Sequence, residues 1–225
     1  MEVKNIEKSF GDRAVLSGIS FVGEEGKVTV ILGESGCGKT TLLNILSKDI
    51  TEYSGEVVYE RDIEKGISYI FQEDTLIPWK TVYENIEYVL KDKIPQDTMK
   101  EYIERYLKVV NLLDYRDEYP KNLSGGMKRR VGIARAFAFP SDYLFMDEPF
   151  EFLDIKTKKE IVDYLKLFQM KERKTVFLIT HDIDLAVELG DTIIVFSKKP
   201  TTIKKIFKRE EKHLELKDEI KKLFL

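Results

Sequence analysis

The sequence predicts an α/β fold with a largely parallel sheet and a helical insert, and two patterns carry that prediction. Short apolar or β-branched runs typical of buried strands recur along the chain, at 28–32, 66–71, 143–146, 175–180, 192–197 and 202–207. Helical stretches at about 40–46 and 156–170 alternate with these strands, which favours a parallel core. Over 99–113 apolar residues instead recur at three- and four-residue spacing, as in an amphipathic helix. We therefore interpret residues from about 75 to 135 as a helical insert.

The two ends of the chain add elements to this core. Val3–Phe10 and Ser17–Val22 alternate weakly between apolar and polar side chains, and Gly11 and Gly26 mark turns. The opening third is therefore expected to be rich in strands. The tail, Glu210–Leu225, has the pattern of a charged amphipathic helix.

Composition and charge exclude several classes of protein. The chain has 225 residues, of which 43% are hydrophobic and 34% charged, so it can bury a core and is not disordered as a whole. Its 37 basic and 40 acidic residues argue against a nucleic-acid partner. The single cysteine, Cys37, excludes an intrachain disulfide. Because no apolar run is long enough to span a membrane and no signal-peptide core opens the chain, we expect a cytoplasmic protein.

A glycine-rich segment between a predicted strand and a predicted helix fits the phosphate-loop pattern G-x-x-x-x-G-K-[ST]. Its glycines let backbone N–H groups converge on an anion, and the helix start adds a favourable dipole. Lys39 is expected to reach the β- and γ-phosphates, and the Thr40 hydroxyl to ligate Mg²⁺. The alternative is an ordinary glycine-rich turn with a solvated lysine. The nucleotide-binding residues predicted here are Gly33, Glu34, Ser35, Gly36, Cys37, Gly38, Lys39, Thr40 and Thr41.

Polar side chains that follow three other strands complete a hydrolytic site. Asp147 ends a buried apolar run and is predicted to hold Mg²⁺. Glu148 follows it and is predicted to act as the general base toward water. His181 is expected to hydrogen-bond the γ-phosphate, and Gln72 to touch the metal or the lytic water. The alternatives are an acidic pair that caps a helix, a structural histidine and an ordinary polar residue at a strand end.

A second glycine motif precedes another helical run. Ser124 is suited to cap that helix, and Gly125 and Gly126 expose N–H groups, so the segment predicts a second anion site. By itself, Ser-Gly-Gly before a helix is a weak signal.

Together, and in this order, the motifs resemble those of the ATP-binding subunits of ATP-binding cassette (ABC) transporters, across essentially the whole chain. The resemblance identifies Gly33–Thr41 as the Walker A motif, Gln72 as the Q-loop and Leu123–Met127 as the signature. It likewise identifies Tyr143–Glu148 as the Walker B motif, Leu153–Asp154 as the D-loop and His181 as the switch histidine. It implies an ATPase that uses ATP and Mg²⁺, with Lys39, Gln72, Glu148 and His181 in the reaction. It further implies that Phe10 stacks on adenine.

The same resemblance implies a single domain over 1–225 with a P-loop NTPase core. That core has a mixed, largely parallel sheet, an N-terminal antiparallel β subdomain and the helical insert. In the ATP-bound state two copies are expected to form a head-to-tail homodimer, with the phosphate loop of one copy facing Ser124 and Gly126 of the other. Met127 stands where the family usually has Gln, and Glu151 and Phe152 where small residues are usual.

Further partners implied are membrane permease subunits and an extracytoplasmic solute-binding protein, with the ATPase on the inner face of the membrane. Phe71–Ile86, with its Pro78-Trp79 pair, and Phe196–Pro200 are similar to importers of nitrate, sulfonates, taurine and thiamine-precursor pyrimidines. An ATPase subunit does not contact the solute, so the solute stays open.

Other functions also stay open from sequence. One is a regulatory or export-type ABC ATPase that acts on a membrane partner. Another is a DNA-repair-type ATPase head, but such heads carry a long coiled coil where this chain has only about 65 residues between Gln72 and Ala138. A stand-alone phosphate-loop kinase would leave Ser124–Gly126 without a role.

Overall fold

The computed structural model describes residues 1–63, 66–73, 75–209 and 213–224, which divide into two compact units. The first unit comprises Met1–Ile67, Asp142–Glu148 and Arg173–Leu225, and the second comprises Ser68–Ser141 and Pro149–Glu172. The predicted helical insert at about 75–135 falls within the second unit.

Strands and helices alternate along most of the chain. The strands are β1 (Glu2–Phe10), β2 (Arg13–Val22), β3 (Val28–Leu32), β4 (Ser54–Val58), β5 (Ser68–Ile70), β6 (Tyr143–Asp147), β7 (Thr175–Thr180), β8 (Thr192–Phe196) and β9 (Ile203–Lys208). The helices are α1 (Lys39–Leu46), α2 (Val82–Leu90), α3 (Gln96–Val109), α4 (Gly125–Ala138), α5 (Ile155–Glu172), α6 (Ile183–Leu189) and α7 (His213–Phe224), with short 3₁₀ turns at Leu113–Tyr115 and Pro120–Asn122.

The first unit contains an antiparallel sheet with the strand order β2-β1-β4. Val3 lies opposite Phe21 and Ile6 opposite Ile19, and all four side chains are buried. Ile19 and Phe21 follow the two-residue period of a strand, whereas Val3 and Ile6 are three residues apart across a register shift, which explains why the alternation in the sequence is weak. The predicted antiparallel β subdomain is confirmed.

The larger sheet of the first unit runs β6-β7-β3-β8-β9. The first four strands are parallel and β9 is antiparallel to β8, so the predicted mixed, largely parallel sheet is confirmed. Every residue of β3, β6, β7 and β8 is buried, which explains their continuous apolar character. Leu32 pairs with Thr180, and Asp147 with Ile179, so the residues that follow β3, β6 and β7 emerge at one sheet edge.

The second unit is mainly helical. The predicted amphipathic helix forms as α3, and it buries Met99, Ile103 and Leu107 on one face. On α4, the ring of Phe137 stacks on that of Phe168 of α5, with centroids 5.2 Å apart. These contacts give the unit its own core.

The structure differs from the sequence prediction mainly at element boundaries. β2 begins at Arg13 rather than at Ser17, and β5 is shorter than the predicted 66–71. β4 was not predicted, because its Ser54-Gly55 start has a turn-like composition. α7 confirms a helix in the tail, although predicted positions 210–212 and 225 lie outside the described residues. In the described part of the chain, no helix has the length and apolar character needed to cross a membrane.

Candidate functional site

The phosphate loop joins β3 to α1 in the first unit. Gly36 has φ of 75° and Gly38 has φ of 110°, values that favour glycine. A Cβ atom at Gly38 would also lie 2.9 Å from Val15 Cγ1 and 3.2 Å from Leu16 Cδ2. Gly38 is therefore required both by its backbone angle and by the close approach of β2.

Lys39 is held inside this loop. Its Nζ donates to the carbonyl of Gly33 at 2.8 Å and to that of Glu34 at 3.0 Å, and the residue is only 8% exposed. The loop backbone thus fixes the ammonium group where the motif predicts contact with phosphate.

The two predicted Mg²⁺ ligands of the first unit lie together. Thr40 Oγ1 donates to Asp147 Oδ2 at 2.6 Å, and Asp147 is 2% exposed at the end of β6. A hydroxyl and a carboxylate are hard oxygen donors, and Mg²⁺ is usually bound by one or two such side chains together with phosphate oxygens. The donor set therefore fits Mg²⁺ held jointly by the protein and a nucleotide.

The predicted base and the predicted switch histidine are also in contact. His181 Nδ1 lies 3.0 Å from Glu148 Oε1, and the backbone N–H of Glu148 donates to the Ile179 carbonyl at 3.1 Å. Glu148 has φ of 44°, an uncommon angle for a residue with a side chain, and such angles cluster at functional sites. Its side chain is only 12% exposed, whereas that of His181 is 68% exposed. The carboxylate is therefore oriented by an imidazole that solvent can reach.

In the second unit, the backbone after β5 is held by two arginines of α4. Arg129 is 5% exposed and donates to the carbonyls of Phe71, Gln72 and Pro149. Arg135 donates to the Thr75 carbonyl at 2.9 Å. The Gln72 residue itself is exposed.

Sequence reasoning missed both arginines. The available signal was weak: Arg135 interrupts the apolar run that follows Arg130, but Arg129 stands in a basic stretch, 128–130, where a solvated side chain is the ordinary expectation. Burial of the Arg135 guanidinium lowers its pKa.

The signature segment opens α4. Ser124 Oγ accepts the Met127 backbone N–H at 3.3 Å, so the serine is the N-cap that the sequence predicted. Met127 takes part through its backbone, so the cap does not need the usual glutamine. A Cβ at Gly125 would meet no atom within 4 Å, whereas one at Gly126 would lie 3.3 Å from the Phe152 carbonyl oxygen.

Two further predicted residues have distinct environments. Phe10, at the end of β1, is 51% exposed, and Lys8 Nζ lies 4.9 Å from its ring centroid, so the aromatic surface is accessible but carries a cation nearby. Cys37 is 4% exposed, and burial raises the pKa of its thiol. The thiol therefore fills space beside the loop.

Comparison with known proteins identifies the family. The ABC transporter family profile matches residues 16–151. An uncharacterized ABC transporter ATP-binding protein of Methanocaldococcus jannaschii is 38% identical over 217 residues, covering 92% of this chain and 81% of that protein. The aliphatic sulfonates import ATP-binding protein SsuB of Bacillus cereus is 38% identical over 213 residues, covering 92% of this chain and 83% of that protein. The chain belongs to the ABC transporter family.

Solved structures agree with this assignment. The dimeric structure of MJ0796, a bacterial ABC transporter cassette, superposes with a TM-score of 0.82 at 30% identity, covering 94% of this chain and 99% of that chain. The same cassette in a post-hydrolysis state, bound to ADP and Pi, gives a TM-score of 0.81 at 30% identity, with the same coverage. The predicted fold is confirmed, and so is the predicted class, an ABC ATPase that hydrolyses ATP.

Proposed function

We propose that this chain is the ATPase subunit of an ABC importer, in which two copies close on two ATP molecules and drive a membrane permease. The two units together form one ABC ATPase domain over 1–225. The observation that carries the proposal is the assembly at one sheet edge of Lys39 in its loop, the Thr40–Asp147 bond at 2.6 Å and the Glu148–His181 contact at 3.0 Å.

The nucleotide lies on the phosphate loop. Loop amides over 33–41 and the ammonium group of Lys39 neutralise the phosphate charge, and Phe10 offers its exposed ring to the adenine. Thr40 and Asp147 hold Mg²⁺, which when bound offsets the charge of the β- and γ-phosphates. For Gln72, contact with the metal or the lytic water stays a prediction from the sequence.

Hydrolysis needs a base that can accept a proton from water. Glu148 has this role, because its carboxylate is largely buried and is oriented through the hydrogen bond with His181. His181 is exposed enough to exchange that contact for one with the γ-phosphate. The proton leaves water for the Glu148 carboxylate as the oxygen of that water bonds to the γ-phosphorus, and the bond from the γ-phosphorus to the ADP oxygen breaks, which gives ADP and phosphate.

The second anion site serves the partner copy. Amides of Gly125 and Gly126 and the hydroxyl of Ser124 stand at the start of α4, where the helix dipole favours negative charge. The open space at Gly125 leaves room for a phosphate, and the dimeric MJ0796 cassette supports a two-copy arrangement. Head-to-tail pairing puts each signature on the other copy's nucleotide and closes a two-fold dimer.

Exposed aromatic side chains of the second unit are the surface that we propose binds the permease. Trp79 and Tyr88 are 76% and 60% exposed. Asn85 is fully buried and holds the loop that carries Trp79, because it accepts the Ile77 N–H at 2.7 Å and donates to the Lys80 carbonyl at 3.0 Å. Exposed aromatic side chains, one of them on a loop held by a buried asparagine, favour docking of a permease at the inner face of the membrane.

The solute class follows from relatives. Several relatives are named aliphatic sulfonates import ATP-binding proteins, and the Pro78-Trp79 pair is similar to the wider group that also carries nitrate, taurine or thiamine-precursor pyrimidines. The proposed cargo is therefore a small solute such as a sulfonate, nitrate, taurine or a pyrimidine thiamine precursor, delivered by an extracytoplasmic binding protein, and nucleic acid is not a proposed partner. Co-purification with a few-span membrane protein instead of a multi-span permease would favour the regulatory alternative.

The decisive experiment removes the proposed base. Glu148→Gln keeps the shape and hydrogen-bonding reach of the side chain but cannot accept the proton, so ATP turnover is expected to fall by roughly 10²-fold or more while ATP binding persists. Gel filtration with ATP and Mg²⁺ should then show an accumulated dimer. Glu101→Gln, an exposed change on α3, is the matched control and should turn over normally. Wild-type turnover in Glu148→Gln would place the base elsewhere.

A further inference from the structure

The segment from Phe196 to Thr201 touches the phosphate loop at three successive points. A Cβ at Gly33 would lie 3.1 Å from Phe196 Cβ, and Lys198 Nζ lies 3.3 Å from Glu34 Oε1. The Thr201 hydroxyl donates to the carbonyl of Cys37. The phosphate-loop motif does not include any residue of this segment, whose sequence from Phe196 to Pro200 resembles that of a subgroup of importers.

Phe196, which is 2% exposed, and Thr201 are the buried members of the segment in these contacts, and of the two it is Thr201 whose side chain can donate a hydrogen bond. Thr201 is 0% exposed, whereas the side chains of Lys198 and Glu34 are 77% and 47% exposed, so their ion pair is screened by solvent and contributes little. A buried hydroxyl bonded to a buried carbonyl cannot be replaced by water without rearrangement. The Thr201 bond is therefore the buried polar contact through which the segment constrains the orientation of a loop peptide, whereas Phe196 contributes packing.

The backbone of Thr201 is held by two hydrogen bonds to β2. Its own N–H donates to the Val15 carbonyl at 2.9 Å, and its carbonyl accepts the Ser17 N–H at 2.9 Å. These two bonds form a bridge to β2 around Leu16. The hydroxyl is thus carried by backbone that is hydrogen-bonded to a strand, and it has little freedom to follow the loop.

The bonded carbonyl belongs to the peptide plane that joins Cys37 to Gly38. A trans peptide is planar, and its C=O and N–H bonds point in opposite directions. Holding the Cys37 oxygen toward Thr201 therefore turns the Gly38 N–H away from Thr201. In a phosphate-binding nest the N–H groups must face the anion while the carbonyls turn outward and find donors elsewhere.

We propose that Thr201 is a positioning residue for nucleotide binding: it orients the Cys37–Gly38 peptide, and thereby the Gly38 amide, before ATP arrives. The inference deepens the proposed nucleotide site and rests on it. It also gives the Phe196–Pro200 motif a physical role, which is to bring Thr201 from the end of β8 across to β2 beside the loop.

The test compares three substitutions by titration with a fluorescent ATP analogue and Mg²⁺. Thr201→Val keeps the shape but removes the hydroxyl, and its Kd is expected to rise about tenfold, since the freed peptide must be reoriented on binding. Thr201→Ser restores the hydroxyl and should bind within about twofold of wild type. Thr192→Val makes the same chemical change at a buried threonine at the opposite end of β8 and should leave Kd unchanged.

A purely structural role would lower the melting temperature without changing the Kd of the folded fraction, so both quantities are measured. A wild-type Kd in Thr201→Val, or an equal loss in Thr201→Ser, overturns the proposal. If Thr201→Val does not fold, Thr201→Ala removes the same hydroxyl with less bulk, and the same rise in Kd is expected. Lys39→Ala tests the nucleotide site separately from the role of Thr201. An unchanged Kd in Lys39→Ala would refute the nucleotide site itself, whereas a raised Kd in Lys39→Ala with a wild-type Kd in Thr201→Val would refute only the role of Thr201.

Discussion

The phosphate loop and the segment that follows β5 both leave the end of a strand, yet they are held in different ways. The phosphate loop is shaped by its glycines, and the Lys39 ammonium group donates to the loop carbonyls of Gly33 and Glu34. The short Thr201 side chain donates to a further loop carbonyl, that of Cys37. The segment at 71–73 and 75 instead has its carbonyls held by the long side chains of Arg129 and Arg135.

This difference separates a preformed binding site from a segment that depends on a helix. Short tethers from strand backbone leave the loop few alternatives, whereas an arginine side chain has several rotatable bonds and about 2 kcal/mol of rotamer entropy. Both arginines stand on α4, the helix that begins with the signature. In the proposed dimer, a displacement of α4 when Ser124 engages a nucleotide would reach the backbone of Gln72 through the hydrogen bonds of Arg129.

The largest effect is expected in the phosphate loop. Lys39→Ala removes the side-chain cation held within the loop, and nucleotide affinity should fall by roughly 10²-fold, because a largely buried phosphate charge loses its partner. Isothermal titration with ATP and Mg²⁺ measures this loss, and Lys100→Ala on exposed α3 is the control. Unchanged affinity would mean that the loop is not the phosphate site.

A smaller and different effect is expected in the segment after β5. Arg129→Gln removes the fork that holds three carbonyls, so kcat should fall about 10- to 100-fold through misplacement of Gln72, with Kd for ATP within about twofold of wild type. Arg129→Lys should recover part of the rate, since an ammonium group can hold some of these carbonyls but lacks the planar fork.

Arg130→Gln is the matched control for that variant. Arg130 is the next residue of α4 and also donates to a backbone carbonyl, that of Val110 at 2.8 Å, whereas the carbonyls of Phe71 and Gln72 accept from Arg129. Steady-state ATPase assays and melting temperatures should show similar destabilisation and a rate loss only in Arg129→Gln. Equal rate losses in both variants would remove the distinction between the two regions.

The smallest effect is expected at Cys37. Because burial raises the pKa of its thiol, the reactive thiolate is scarce, and alkylation at about pH 8 should be slower than for a free cysteine and rise only at higher pH. Cys37→Ala should change the Kd for ATP by less than about threefold, since the loop is held through its backbone. Mass spectrometry of the alkylated protein checks the first result, and rapid labelling at neutral pH would contradict it.

Local sequence was sufficient to predict much of the fold and the first-unit site. The order of β3, phosphate loop and α1 is contiguous, and the residues after β6 and β7 meet because parallel strands share an edge. The contacts of Arg129 with Gln72 and of Thr201 with Cys37 join positions 57 and 164 residues apart, and no local pattern encodes such partners. Boundaries such as the start of β2 were wrong because pairing with β1, rather than propensity, extends that strand.

The cap at the start of α4 has a consequence for the release of ADP and phosphate. A serine hydroxyl has lone pairs to receive a hydrogen bond and one proton to give. In Ser124 a lone pair already serves the Met127 amide, so in the proposed dimer the proton is available for an oxygen of the partner copy's nucleotide. When that oxygen departs the cap is unaffected, so the proposed dimer would separate and re-form without refolding the start of α4.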